Sequence, residues 1–202
     1  MVGLLTTVNR ASQRVSIHGV RRELLQDQAE RLGLPLFEVP LPSPCPNSAY
    51  ELRMGQALRT AAAQGLQGVA FGDLLLEDVR EYREQQLGAA GLQGVFPIFG
   101  RSTAEVAEQE IAVGIASILS CVDPRKLTPD FAGRRFDHGL LAELRSLPQA
   151  VDPCGENGEF HTFTFDSPDY RSPIPVTVGA VVERDGFIFA DLLGVPETVA
   201  GP

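Results

Sequence analysis

A chain of 202 residues with 44% apolar content is long enough for one large domain or two small ones around packed cores. Its net charge of -9 opposes a broad nucleic-acid footprint and makes RNA an unfavoured partner, because neutralising phosphates takes clustered Lys and Arg. Three widely separated cysteines support neither a disulfide framework nor a zinc ribbon, and no apolar run approaches the roughly 18 residues of a membrane span, so a reducing cytoplasm without a membrane partner is expected.

From the N-terminus, residues 2–7 are a short apolar run rich in strand formers and read as a buried strand closing at Asn9. Ligands of open α/β sheets sit at that C-terminal strand edge. Thr6, Thr7 and Asn9 are therefore candidates to line a nucleotide pocket, beside the plainer reading of Asn9 as a strand-ending turn. His18 precedes a helix predicted over 20–32, whose Leu24, Leu25, Ala29 and Leu32 form one apolar stripe and which Gly33 and Pro35 stop. Residues 34–39 are the next strand, and the four prolines between 40 and 46 then forbid helix. Ser48 and Glu51 make a capping-box pattern for a helix reaching Gly65. Residues 68–71 give a third strand that ends in Gly72 and Asp73. An acid there either meets a ligand at the sheet edge or caps the helix of Leu75, Val79, Tyr82 and Leu87.

Residues 94–98 give a fourth strand, broken by Pro97, and 100–102 read as a domain junction. Strands alternating with helices up to this point predict βαβ units and a parallel sheet. The rhythm then changes. Ser102 and Glu105 open a helix expected to reach about Leu119, with Val106, Ile111, Ile115, Ile118 and Leu119 on its buried side. Beyond it come a short strand over 121–127, a loop over 131–135 and a helix over 138–147. A hairpin of 176–182 and 186–190 turns at Arg184, Asp185 and Gly186.

Chemistry concentrates in residues 152–170, D-P-C-G-E-N-G-E-F-H-T-F-T-F-D-S-P-D-Y. Alternation from Glu159 onward predicts a strand that sets Glu159 and His161 on one face, with a Gly-rich turn presenting Glu156 beside them. A carboxylate in reach of an imidazole holds its tautomer and tunes its basicity, so Glu156, Glu159 and His161 are the acid-base candidates. A metal site is the rival reading. Cys154, Glu156, Glu159 and His161 match no common zinc spacing, and so mixed a set would suit a harder ion such as magnesium.

The run G-E-N-G-E-F-H-T followed by D-x-P closely resembles the hallmark of the diphthine-ammonia ligase family, a branch of the PP-loop ATP pyrophosphatases. L-L-T-T-V-N, S-I-H-G-V-R, Q-A-E-R-L-G-L-P-L, F-G-D-L, F-P-I-F-G and F-A-G-R-R-F-D agree with the same family. The resemblance implies an α/β fold: a Rossmann-like parallel sheet of the adenine nucleotide alpha hydrolase type, missing its first strand, over 1–100, and a smaller α+β domain over 101–202 that carries the motif. It implies ATP and Mg2+ as cofactors, adenylation of a carboxylate, and attack by ammonia to form an amide. The family's named substrate is diphthine on translation elongation factor 2, and a small-molecule or other protein carboxylate is equally open, as is a homodimer. It also lifts His18 toward cofactor binding, beside Gly72 and Asp73, which their place at the third strand's end makes candidates. Members carry a Ser-Gly-Gly-Lys-Asp-Ser phosphate loop that would lie upstream of Leu4. The expectation follows that the 202 residues alone neither hydrolyse ATP nor ligate, which leaves a non-catalytic nucleotide-binding or interaction protein as the alternative.

Overall fold

The computed structural model describes residues 1–196, a mixed α/β protein with parallel and antiparallel sheets. Strand β1 (Leu4–Asn9) is followed by the two-residue β2 (Arg14–Val15), which folds back on it antiparallel, then α1 (Arg22–Leu32) and β3 (Leu36–Leu41), which pairs β1 in parallel. Helix α1 stops where the sequence predicts, because Gly33 takes the left-handed conformation (φ 68°) and its N–H closes the last turn on Ala29 and Glu30. A second parallel pair is built by α2 (Asn47–Ala63), β4 (Gly68–Ala70), α3 (Glu77–Ala89) and β5 (Gln93–Val95). The parallel pairing of both βαβ units agrees with the sequence. They form two separate ladders, however, and among the described residues no strand joins β1 to β4.

Capping differs from the sequence reading in one helix. Helix α2 starts at Asn47 after Pro46 with no side-chain cap, and Asn47 itself donates to Glu51 (2.8 Å), so the Ser48 box does not form. Ser102 does accept the N–H of Glu105 at the head of α4 (Thr103–Ala112).

The largest departure follows. The helix expected to reach Leu119 ends at Ala112, because Gly114 (φ 89°) turns the chain and Ile115 N–H returns to the Glu110 carbonyl. Residues that mimic one helical stripe, Ile118 and Leu119 among them, instead run through β6 (Ala116–Val122), whose last six positions are all buried. Burial on both faces gives a continuous apolar run, which periodicity alone does not separate from a buried helix. Strand β6 is central: β8 (Phe160–Asp166) takes one edge, while β7 (Arg135–Phe136) and β10 (Phe187–Gly194) share the other. Helix α5 (His138–Ser146) lies between β7 and β8 in sequence, and β9 (Val176–Arg184) completes the predicted hairpin with β10 around Asp185 and Gly186.

The larger core draws Val20 and Leu24 of the first half in with Leu119, Val122, Phe163, Ile188 and Leu192. A smaller core of Leu58, Leu87 and Leu92 holds α2 and α3 on the β4–β5 pair. Arg14 and Arg21 both reach Asp191 on β10 (2.8 and 2.7 Å), and the two guanidinium groups hold its carboxyl down at about 2. Gly19 (φ 68°) lies so close to the Phe189 ring that an added Cβ would overlap it. These contacts set the β1–β3 unit on the face of the C-terminal sheet. Asp191→Ala is expected to cost about 2 kcal/mol by leaving two half-buried guanidinium groups without their carboxylate. Urea denaturation checks it, and a change below about 0.5 kcal/mol would assign the join to packing alone.

Candidate active-site cleft

The glycine-rich loop over 152–159 is a closed set of hydrogen bonds. Asp152 Oδ1 accepts the N–H groups of Cys154 (2.8 Å) and Glu156 (3.3 Å), and its Oδ2 accepts the Thr103 hydroxyl (2.7 Å) from the head of α4. Gly155 and Gly158 both take positive φ, and at Gly155 a Cβ would sit 2.7 Å from the Phe160 carbonyl, so glycine is required there. Glu159, 1% exposed, is the hub: its carboxylate accepts Asp152 N–H (3.0 Å), Asn157 N–H (3.0 Å) and the Asn157 side-chain amide (3.3 Å).

This arrangement separates residues that the sequence brings together. Glu159 is turned into the loop and makes no hydrogen bond to His161, so the expected carboxylate–imidazole pair does not form. His161 instead faces His18, with ring centroids 4.5 Å apart. Burial, aided by the neighbouring His18, pushes the His161 imidazole down to about 4. Burial also lowers His18, opposed by a hydrogen bond to the Thr162 backbone. Glu156 reaches outward, where its Oε2 accepts the N–H of Leu74 (2.9 Å) and ties the motif loop to the segment between β4 and α3. Cys154 donates its thiol proton to the Thr103 carbonyl (3.2 Å) and is pushed up to about 12 by burial and neighbouring carboxylates. Among the described residues no three His, Cys, Asp or Glu side chains gather as metal ligands, so the rival magnesium set of Cys154, Glu156, Glu159 and His161 is not assembled.

The nucleotide-side candidates divide as well. Thr6 lines a cleft of about 450 Å³ between the β1–β3 unit and the C-terminal sheet, and Gly72 lines a smaller cavity of about 130 Å³. Thr7 lines neither, and its carbonyl accepts Ser16 N–H (3.1 Å). Asn9 follows the plainer reading: its side chain accepts Ala11 and Ser12 N–H groups (2.9 and 3.1 Å) in an exposed turn. Asp73 neither caps α3 nor lines either of these cavities. It pairs with Arg83 (2.7 Å), whose guanidinium lies 4.4 Å from the Phe71 ring.

The two cavities share part of their lining. Glu110, Ser117 and Thr162 line both, from α4, β6 and β8, while Leu74, Cys154 and Glu156 close the smaller one. Ser117 and Thr164 share a hydroxyl hydrogen bond of 2.9 Å across the β6–β8 ladder. No Lys, Arg or His lines either cavity, so the floor is hydroxyl and carboxylate. Such a surface suits a neutral or cationic group and does not suit a triphosphate, which needs backbone N–H groups and a lysine or arginine. The sequence points to Glu156 and Gly72 here, and it misses Glu110, Ser117 and Thr162. Glu110 carries no local signal, since it follows Glu108 and Gln109 in a helix that already holds several polar residues.

Residues 102–189 match the diphthamide synthase C-terminal domain family. Over 128 residues the chain is 30% identical to the diphthine–ammonia ligases of Bos taurus and Rattus norvegicus, and 29% identical to that of Homo sapiens. Each alignment covers 62% of this chain and 48% of the relative, so the chain spans about half the length of the curated relatives it matches.

Proposed function

Because the chain belongs to the diphthine–ammonia ligase family, we propose that it takes part in ATP-dependent amide formation, in which a carboxylate is adenylated and ammonia displaces AMP. The observation that carries this reading is the pair of neighbouring cavities: the family's motif loop, through Glu156 and Leu74 N–H, closes the smaller one, which shares Glu110, Ser117 and Thr162 with the larger cleft between the β1–β3 unit and the C-terminal sheet. A cleft between such units, with hydroxyls and a carboxylate converging on an apolar wall, is where a small-molecule reaction is expected.

ATP supplies the leaving group of the acyl adenylate. The residues lining the cleft do not fit its triphosphate, and no described cluster fits Mg2+, so no step is routed through either. What this chain's residues offer is the other end of the reaction. Leu4, Leu25, Leu32 and Leu36 give the larger cavity an apolar wall for an acyl group, and Ser117 and Thr162 give hydrogen bonds at its inner end. Glu156 holds the segment after β4 in place through Leu74 N–H and is a positioning residue in this scheme.

The test supplies the chain with ATP, ammonium and diphthine-bearing elongation factor 2, then follows AMP release and conversion of acid to amide by mass spectrometry. AMP formed only when ammonium and the acid are both present supports the reading. ATP binding without AMP release would leave a nucleotide-binding module, and neither would remove the ligase reading.

A further inference from the structure

We infer that the larger cleft, of about 450 Å³, is a binding site for an aliphatic primary amine, whose ammonium sits on Glu110 and whose chain lies along the leucines of the β1–β3 unit. The inference stands on the lining of this one cleft and goes beyond the amide-forming reading, of which it uses no step. Among the described residues lining the cleft, Glu110 is the one charged side chain, and no Lys, Arg or His accompanies it. It is half-buried on the last turn of α4, and no described residue makes a hydrogen bond or ion pair to its carboxylate. A carboxylate held partly out of water without a partner is costly, and burial accordingly raises the Glu110 carboxyl above its ordinary value. An ammonium supplies the missing partner.

The rest of the polar wall selects the head group. Ser117 already shares its hydrogen bond with Thr164 (2.9 Å), and the Thr164 carbonyl accepts the Gln28 amide (2.7 Å), so that stretch is satisfied within the protein. Glu110 and the Thr162 hydroxyl, from α4 and β8, carry no such bond among the described residues. An ammonium brings three N–H donors to these two acceptors. A ligand carboxylate or phosphate instead meets like charge at Glu110 and finds no cationic side chain, and a neutral alcohol gains nothing from the charge.

The apolar wall selects the tail. Leu4, Leu25, Leu32 and Leu36 line the cleft from β1, α1 and β3, and all four are half-buried, so a chain laid against them removes further apolar surface from water. Each methylene buried there is worth about fourfold in affinity. A space of 450 Å³ falls within the usual range of small-molecule sites, about 300–1,000 Å³, and is far larger than ammonium alone would fill. Charge and length are therefore recognised together, the first by Glu110 and the second by the leucines.

The experiment titrates the full chain with n-pentylammonium, n-pentanol and n-pentanoate at neutral pH and matched ionic strength, following backbone amide resonances and the Glu110 carboxyl by NMR. Pentylammonium should bind about tenfold more tightly than pentanol, and pentanoate more weakly than either, with shifts centred on Glu110, Thr162 and Leu36. In Glu110→Gln the ammonium should lose its tenfold advantage while pentanol binding stays within about twofold, which also shows that the variant is folded. Leu25→Trp, which fills the apolar side, should weaken pentylammonium and pentanol alike. Pentanol or pentanoate binding the native chain as tightly as pentylammonium, shifts centred away from the cleft, or no saturable shift with any probe would each overturn the proposal. An ammonium preference that survives Glu110→Gln would do the same, and the native comparison decides alone where the variant does not fold. None of these probes needs ATP, so the result is independent of the AMP-release test of the ligase reading.

Discussion

Glu159→Ala is expected to cost about 3 kcal/mol of stability, a fall in melting temperature of about 10 °C, and to lose function only as a consequence. The carboxylate is 1% exposed and accepts three N–H donors, two from the backbone, that have no other partner in the loop. Truncation strands those donors around a cavity, and the cost of an unsatisfied buried donor, about 1–3 kcal/mol, outweighs the modest net value of the bonds themselves. Glu159→Gln should lie near the midpoint, because one amide oxygen still accepts while its NH2 faces a donor. Calorimetric melting of both variants measures this. A Glu159→Ala protein that melts like the native one would make the residue a chemical group after all and would undo the view of it as the hub of the motif loop.

The second large effect is a loss of stability in mild acid. His161 titrates near 4 in the folded protein and near 6.5 when unfolded, so between those values the unfolded chain binds the extra proton. Stability therefore falls as the pH drops from about 6.5 to about 4, by about 3 kcal/mol for a shift of this size, and no further contribution comes from this group below that window. His18 is lowered in the same direction by burial, against the opposing hydrogen bond to the Thr162 backbone, and adds to the slope. Asp191, held at about 2, begins to lose its contribution only as the pH falls below the ordinary carboxylate range, so its acid limb is separate. Urea titrations at about pH 7 and about pH 4.5 should differ by this amount in the native chain and by much less in His161→Phe. The same slope in the variant would place the acid sensitivity elsewhere.

Much of the fold was legible because its signals are local. Gly33 ends α1, Gly186 turns the β9–β10 hairpin, and β1 and β3 read as apolar runs between breakers. The helix that stops at Ala112 was not legible in full: Ile115, Ile118 and Leu119 keep helical spacing with Ile111, and only the position of Gly114 marks the change to a central strand buried on both faces. The site was legible in its motif and not in its geometry. Spacing put Glu159 and His161 on neighbouring positions of one strand, but a loop rich in unpaired N–H groups draws the carboxylate inward, and His18, 143 positions earlier, takes the imidazole. Glu110 stayed hidden because its place in the linings of two cavities is a long-range property that no window of sequence contains.

The three cysteines sit in very different surroundings, and this gives the molecule a ready chemical address. Cys121 is buried on β6 and Cys154 is enclosed in the motif loop, and burial pushes both thiols up to about 12, so neither offers a thiolate to reagents at neutral pH. Cys45 is exposed on the proline-rich segment between β3 and α2. A maleimide dye or spin label should therefore attach at that single position without mutagenesis, placing a reporter on the rim of the β1–β3 unit whose signal can follow how that unit sits against the C-terminal sheet as nucleotide and ammonium are added.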